Sequence, residues 1–448
     1  MKAGLPKILG LVEATTVVVG SMIGSGIFLK AAGIAQILPH PGLILLCWLA
    51  AGLLTLSGAL VIAELSARFP GSGGPYLFLR EGFGPRVAFL FGWSLLAIIQ
   101  SGSIASLACG VAKVVASRVV LNESQQHLVS YACIASLTAL HCISVNAGAR
   151  WLQNVVTSIK YLGLLWLVGM GIFAGQAHVS NLQPVGELPS TGLLISALGV
   201  IMLKALWAYD GWANATFIAG EVREAQKNLP RALIGGTIMV MLIYLATNAT
   251  YHLVLTPQQV AGVESPAVAV TEHCIGPGWA VAIAALQALA MFGTLNSSIL
   301  SAPRVYFAMA QSGQFPDWMA AVNRFQTPYV ALTLQGIWAV VLIAIWKDFE
   351  KITDNVMFVY WTFYALTALC ALRFPPPETG YRAPARTLLV AIFVSGAGFM
   401  VISQLIRQPA VSLQALVLLG VGMLFYRKPT DKVPEIGTKP EIGISRES

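Results

Sequence analysis

Long apolar runs recur along the whole chain, and they decide which folds are open to it. A helix needs about 20 apolar residues to cross the hydrocarbon core of a bilayer. Charged residues make up 10% of the 448 residues, whereas a soluble domain carries about a quarter. The sequence therefore predicts an all-α membrane protein. Twelve spans are predicted, at residues 11–37, 42–68, 86–117, 127–147, 152–175, 192–220, 232–256, 278–309, 328–346, 352–373, 386–406 and 411–427.

Lysine and arginine are unevenly distributed between the predicted loops. With the N-terminus inside, 19 of the 27 basic residues lie in inside segments and six in outside segments, Lys30 among the latter. An excess of positive charge marks the cytoplasmic side, so both termini are predicted to be cytoplasmic. The high pI comes from basic residues in the loops, so no nucleic-acid partner is predicted. The polar tail 428–448 is predicted to be disordered.

Catalytic and metal-binding patterns offer no competing function. The six cysteines are dispersed without CxxC or Cys/His spacing, which is typical of small residues in an apolar core. Neither HExxH nor GxSxG occurs. We therefore expect no metal, no cofactor and no enzymatic activity.

The stretch SMIGSGIF places Gly24 and Gly26 near the middle of the first span. Each glycine costs about 1 kcal/mol relative to alanine inside a helix. A second anomaly, Asp210-Gly211, lies within the sixth span, where a carboxylate marks a site or a water-filled cavity. Paired interruptions in corresponding spans are typical of a transporter site between inverted repeats. They suit an occluding site better than the continuous pathway of a channel.

A helix that is broken inside the membrane exposes backbone groups that lipid cannot pair. The new N-terminus offers N–H groups to a carboxylate, and the end of the preceding half offers carbonyls to an ammonium. An amino acid zwitterion would satisfy both, and the glycines would let the main chain approach its carboxylate. One alternative stays open, in which Gly20, Gly24 and Gly26 form a small-residue stripe for close helix packing.

Separated motifs then carry a family resemblance over most of the chain. They are VVVGSMIGSGIF, FPGSGGPYLFLREGFGP (69–85), WLQNVVTSIKYLG (151–163), LWAYDGW with EVREAQKNLPRAL (206–233), and FGTLNSSILSAPRVYFAMAQSGQFPDW (292–318). In this order they resemble the amino acid–polyamine–organocation transporters, especially the L-type amino-acid transporter branch. The resemblance implies amino acid transport by one transmembrane domain (1–448) with a LeuT-like fold. Its five-plus-five inverted repeat would comprise residues 11–175 and 192–373, followed by two additional helices at 386–427.

The resemblance also implies roles for individual residues. The N–H groups of Gly24, Ser25 and Gly26 would hold the substrate carboxylate, and carbonyls near Met22, Trp207 and Asp210 would accept its amino group. Trp207 would close over the substrate, and Tyr244 would lie nearby. The predicted substrate site therefore consists of Ser21, Met22, Ile23, Gly24, Ser25, Gly26, Trp207, Ala208, Asp210 and Tyr244.

Three charged residues carry expectations about coupling and gating. Lys160 lies nine residues into the fifth span, too deep for an ordinary snorkelling lysine. By resemblance its ammonium replaces a sodium ion, which predicts a sodium-independent carrier. A permanently charged lysine gives exchange or facilitated flow, whereas a lysine that releases its proton gives proton coupling. Glu221 is expected to pair with nearby arginines as an inner gate, and for Asp210 both substrate binding and helix capping stay open.

The predicted function is sodium-independent exchange of neutral amino acids, with proton-coupled symport as the alternative. Lys204 shares a helix face with Trp207, and a preference for an acidic substrate side chain or a reach to the outer surface both stay open. The loop SRVVLNESQQH has no cysteine, whereas animal L-type members use one there to bond a glycoprotein. We therefore expect no covalently bound heavy subunit, and a location in a bacterial inner membrane.

Overall fold

The computed structural model describes residues 7–143, 151–184, 190–346 and 349–429. Within these ranges the chain forms helices and loops, with one isolated β-bridge between Leu9 and Val222. The predicted all-α class is confirmed for this part of the chain. The end of the fourth predicted span and almost all of the predicted tail lie outside the described residues.

The first half opens with a helix in two pieces, α1 (Leu11–Met22) and α2 (Gly26–Ile37). The third predicted span also departs from a uniform α-helix, because a π-helical turn at Leu95–Ile99 widens it just before Gln100. Such turns often occur at functional sites. The remaining helices are α3 (Pro41–Arg68), α4 (Pro75–Phe83), α5 (Pro85–Ser94), α6 (Gln100–Ala116), α7 (Glu123–Ile143) and α8 (Gln153–Phe173).

The second half repeats the interruption, since α9 (Thr191–Tyr209) is followed after a turn by the short α10 (Asn214–Phe217). The eighth predicted span is divided at Pro303, which has no N–H to continue the ladder of α14. The remaining helices are α11 (Ala225–Val254), α12 (Pro257–Gly262), α13 (Pro266–Ile275), α14 (Ala280–Ser301), α15 (Pro303–Gln311), α16 (Tyr329–Trp346), α17 (Phe349–Arg373), α18 (Arg386–Arg407) and α19 (Pro409–Leu424), with 3₁₀ turns at Val179–Leu182, Ala219–Glu221, Pro277–Trp279 and Asp317–Ala320.

Nine segments of the described chain are long and apolar enough to cross a membrane as helices. Two shorter apolar helices, Ala197–Tyr209 and Ser412–Leu424, fall in the sixth and twelfth predicted spans. The fourth predicted span corresponds to α7, which begins at Glu123, four residues earlier than predicted. The helical positions therefore follow the predicted order.

Packing places the two interrupted helices at the centre of the bundle. The half-helix α1 lies against α8, α11 and α14, while α2 lies against α9. Gly26 at the start of α2 lies against Ala208 of α9, and Gly211 lies against Ser21 of α1, so main-chain groups from both interruptions meet in the interior.

Candidate functional site

The first interruption covers Ile23, Gly24 and Ser25, between the end of α1 and the start of α2. Ile23 has an extended backbone with φ −75° and ψ 90°. The break predicted within residues 20–26 is therefore confirmed and is narrower than predicted, because Gly20 lies inside α1. No hydrogen bond to the N–H groups of Gly24, Ser25 or Gly26 occurs in the described part of the chain.

The second interruption begins at Asp210, whose extended backbone (φ −65°, ψ 157°) ends α9. Gly211 then has φ +94°, a left-handed conformation that strains any residue with a side chain. A Cβ on Gly211 would also lie 2.7 Å from Cβ of Ser21. The glycine is thus required by its own conformation and by the closeness of the two breaks. The predicted Asp210-Gly211 break is confirmed.

Lys160 satisfies the carbonyl groups that the first break releases. Its fully buried ammonium donates to the carbonyl oxygens of Gly20 at 2.6 Å and Ile23 at 2.7 Å. It also lies 3.2 Å from Oγ1 of Thr294, a hydroxyl within 3.0 Å of the same two carbonyls. A cation at the C-terminal end of a helix is stabilised by the helix dipole. Three oxygen atoms therefore surround the amino group of Lys160.

Tyr244 connects the two breaks instead of lining the site. Its hydroxyl lies 2.8 Å from the carbonyl oxygen of Met22 and 3.0 Å from that of Ala208. The ring is fully buried and is absent from the wall of the central cavity. The two interrupted helices are therefore held together by one phenol at the carbonyl ends of their first halves.

Gly24 and Gly26 are needed for helix contacts. The expectation that their missing side chains make room for a substrate carboxylate was wrong. A Cβ on Gly26 would lie 2.3 Å from Cα of Ala208, and one on Gly24 would lie 2.9 Å from Oγ1 of Thr294. The missing side chains thus face neighbouring helices. The alternative of a close-packing stripe holds for both, and for Gly20, while the N–H groups of the same segment stay open.

A small polar cavity lies between the two breaks, with a volume of about 30 Å³. That volume holds about two water molecules and is too small for an amino acid, so this conformation is closed. Two of the polar wall residues, Gln100 and Ser103, come from α6, and no sequence pattern distinguished them. The wall consists of Ser21, Met22, Gly24, Ser25, Gly26, Gln100, Ser103, Leu107, Trp207, Asp210, Gly211, Asn214, Thr294 and Ser298.

Two predicted site residues, Ile23 and Ala208, lie behind this wall. The carbonyl oxygens of both contribute to the contacts with Lys160 and Tyr244 described above. Asp210, in contrast, lines the cavity, and its buried Oδ1 has no hydrogen-bond partner among the described residues. The short helix α10 has Ala213 at its N-cap and no side-chain cap, so Asp210 does not cap it.

Trp207 closes one side of the cavity. Its indole Nε1 donates to Oγ of Ser25 at 3.0 Å, which joins α9 to the first break. The ammonium of Lys30 lies 6.0 Å from the centre of the indole ring, within the range of a cation–π contact. Lys30 was expected in an outer loop, and this was wrong, because it is buried in α2. Its spacing of four residues from Gly26 already places it on the packed face.

Glu221, in the 3₁₀ turn that follows α10, forms an ion pair. Its carboxylate accepts from Nε of Arg304 at 2.7 Å, and the second oxygen lies 3.4 Å from Nη2. Both side chains are buried, and Arg304 also donates to the carbonyl oxygen of Leu300 at 2.5 Å. The expected arginine partner is present, but it comes from α15 and not from the loop that follows Glu221. The sequence did not indicate this partner, because the two residues lie 83 positions apart.

Comparisons with known proteins agree with the geometry. The family model described as amino acid permease matches residues 9–425. The b(0,+)-type amino acid transporter 1 of Mus musculus is 30% identical over 436 residues, which cover 94% of this chain and 88% of that protein. The serine/threonine exchanger SteT of Bacillus subtilis (strain 168) is 28% identical, covering 94% and 96% of the two chains. The Asc-type amino acid transporter 1 of Homo sapiens is 29% identical, covering 95% and 82%.

An integral, multi-pass membrane transporter is the class that these helices and these relatives define. The chain belongs to the amino acid permease family. The resemblance to the L-type branch of the amino acid–polyamine–organocation transporters is thereby confirmed.

The contact between Gly26 and Ala208 leads to a first prediction. Gly26→Ala would force apart two backbones that are in van der Waals contact, and overpacking of this kind costs about 1–3 kcal/mol. We expect amino acid transport in proteoliposomes to fall by about tenfold or more, with the variant still inserted in the membrane. Gly235→Ala, at a glycine in α11 with open space around it, should transport like the parent protein. Normal transport by Gly26→Ala would contradict the close contact.

Proposed function

We propose that the protein is a sodium-independent secondary transporter that exchanges small neutral amino acids by alternating access. One observation carries this proposal: three backbone N–H groups without partners in the described chain open onto a cavity between two broken helices. Membrane helices tolerate such groups only where a ligand or water pairs with them. A substrate carboxylate is an ion of the matching charge.

The proposed architecture is the LeuT-like arrangement of twelve helices. Residues 11–175 and 192–373 form the two inverted repeats, and residues 386–427 form two additional helices. The positions of the breaks support this division, since the first helix of each proposed repeat is the interrupted one. The nine long apolar segments, the two shorter apolar helices and α7 together support the count of twelve spans.

The substrate zwitterion would lie across the two breaks. Its carboxylate would accept from the N–H groups of Gly24, Ser25 and Gly26, at the positive end of α2. Its ammonium would approach the carbonyl ends of α1 and α9, near Met22, Trp207 and the carboxylate of Asp210. Both charges of the substrate would then be paired without water.

The cavity wall favours a small substrate with a polar side chain. Hydroxyl groups of Ser21, Ser103 and Ser298 contribute to it, together with Asn214, and a hydroxyl on the substrate would pair with them. The serine/threonine exchanger of Bacillus subtilis supports the same choice. We therefore propose serine, threonine and amino acids of similar size as substrates.

Two contacts close the cavity in this conformation, and we propose them as gates. Trp207 closes the outer side through Ser25. The buried pair of Glu221 and Arg304 closes the inner side, and removing either partner would leave an uncompensated buried charge. Opening on one side requires that side's contact to separate while the other stays in place.

The setting of the transporter is part of the proposal. The excess of lysine and arginine in alternate loops supports cytoplasmic termini. A bacterial inner (plasma) membrane is supported by the similarity to a bacterial relative, from Bacillus subtilis. The loop between α6 and α7 lacks cysteine, which supports transport without a covalently bound heavy subunit.

Uptake assays with loaded and empty vesicles distinguish exchange from proton symport. Proteoliposomes that contain unlabelled serine should take up external radiolabelled serine, because each turnover must return a loaded site. Empty vesicles should take up little, even when the external pH is lowered. Uptake into empty vesicles driven by the pH gradient would replace exchange with proton symport, and no serine uptake in any arm would contradict the proposed substrate.

Replacing Lys160 should convert the cation position into a sodium site. In Lys160→Ala, three oxygens that now surround an ammonium would lose it, and oxygen ligands suit a hard cation. We expect exchange by the variant to be weak in choline chloride and to recover partly in sodium chloride. The parent protein should exchange equally fast in both salts, and a sodium requirement of the parent would overturn the assignment of Lys160.

A further inference from the structure

The half-helix α1 is docked on α8 by a ladder of polar side chains. Gln153, Thr157 and Lys160 are spaced so that all three lie on one face of α8. The amide of Gln153 donates to the carbonyl oxygen of Thr16 at 3.2 Å, and the hydroxyl of Thr157 donates to the same oxygen at 3.3 Å. The ladder thus follows α1 from Lys160, beside the first break, toward the N-terminal end of the helix.

A relay of amides fixes the orientation of Gln153. Its Oε1 accepts from Nδ2 of Asn296 at 2.8 Å, and Oδ1 of Asn296 lies 2.9 Å from Nε2 of His141. The carbonyl of Thr16 accepts only, so Gln153 must present its NH₂ group to α1 and its oxygen to Asn296. The same logic makes Asn296 donate to Gln153 and accept from His141. The carbonyl oxygen of Thr16 thus determines which end of each amide, in Gln153 and in Asn296, donates and which end accepts.

The fit of α1 on this ladder is tight. A Cβ on Gly20 would lie 1.9 Å from Nε2 of Gln153 and 2.5 Å from Oγ1 of Thr157. The amide therefore lies directly against the α1 backbone, at the turn that ends in the first break. Gln153, Asn296 and His141 are all fully buried, so this contact is dry in the closed state.

Hydrogen bonds and apolar contacts differ in the free energy that it costs to separate two helices. When α1 separates from α8, water can pair with the amide of Gln153 and with the carbonyl of Thr16, so the net change for each bond is small. The opposite side of α1 packs through Val18 against Gly236 of α11, where a Cβ would lie 2.7 Å from that valine. The α8 side is accordingly the side on which docking is reversible.

We propose that Gln153 is a positioning residue, held in one orientation by Asn296 and His141, that sets the balance between docked and released α1. This inference rests on the proposed exchange function with a cytoplasmic N-terminus: α1 then lies on the cytoplasmic side of the first break, and its release would open the cavity toward that side. Gln153 does not touch the cavity. It acts through the α1 backbone and the cation position beside it.

The test compares half-saturating serine concentrations at the two faces, in right-side-out and inside-out vesicles. The apparent affinity at each face is reduced by the fraction of carriers closed to that face. Gln153→Met removes the bond to α1 without adding charge, and the ratio of external to internal half-saturation should rise about fivefold. Asn296→Asp should shift the ratio in the same direction, because an aspartate cannot donate to Gln153 and turns its amide away from Thr16.

A matched control is Gln335→Met in α16, a buried glutamine whose amide atoms have no partner among the described residues. Its ratio should equal that of the parent protein. A ratio is independent of how much protein is active, so partial misfolding does not imitate the effect. If the parent exchanges serine and both variants keep its ratio, the role of Gln153 is excluded; if the parent does not exchange serine, the proposed function itself has failed.

Discussion

Backbone groups freed inside a membrane must find partners, and the centre of this protein is organised by that requirement. At the end of α1, the carbonyls of Gly20 and Ile23 are taken by Lys160, and that of Met22 is taken by Tyr244. The N–H groups that begin α2 are left open toward the cavity. The protein therefore pairs part of the acceptor side of the break itself, and it leaves open the donor side and the second lone pair of the Met22 carbonyl. In the proposed function, an interruption that would destabilise an ordinary span becomes a site that a zwitterion completes.

The close contacts of glycines follow from the same arrangement. Two breaks can share one ligand only if their backbones approach, and Gly26 against Ala208 and Gly211 against Ser21 are the points of approach. Tyr244 then joins the first halves of both helices. In the proposed function, Lys160 occupies the cation position, and the hydrogen-bonded ladder beside it is the contact that α1 releases.

Local sequence signals predicted the parts of the site that follow from local chemistry. Closely spaced glycines and an aspartate in apolar runs predicted both breaks, because such residues are unfavourable in an ordinary membrane helix. The depth of Lys160 in its span indicated that it is not an ordinary snorkelling lysine, and the side chain is buried. Long-range partners were not predictable: Arg304 lies 83 residues from Glu221, and Asn296 lies 143 residues from Gln153. The periodicity of a sequence does not show which side chains of different helices come into contact. What a Cβ at Gly24 or Gly26 would meet depends on that packing, so it could not be predicted.

The central claim is that main-chain groups at two helix breaks hold both charges of an amino acid. Isothermal titration calorimetry on the purified protein tests it with three ligands: serine, serine amide and glyceric acid, the last two lacking the carboxylate and the amine, respectively. Each lost charged hydrogen-bond set should weaken binding by about a hundredfold. Binding of either analogue within a few-fold of serine would show that the zwitterion is not held by the breaks.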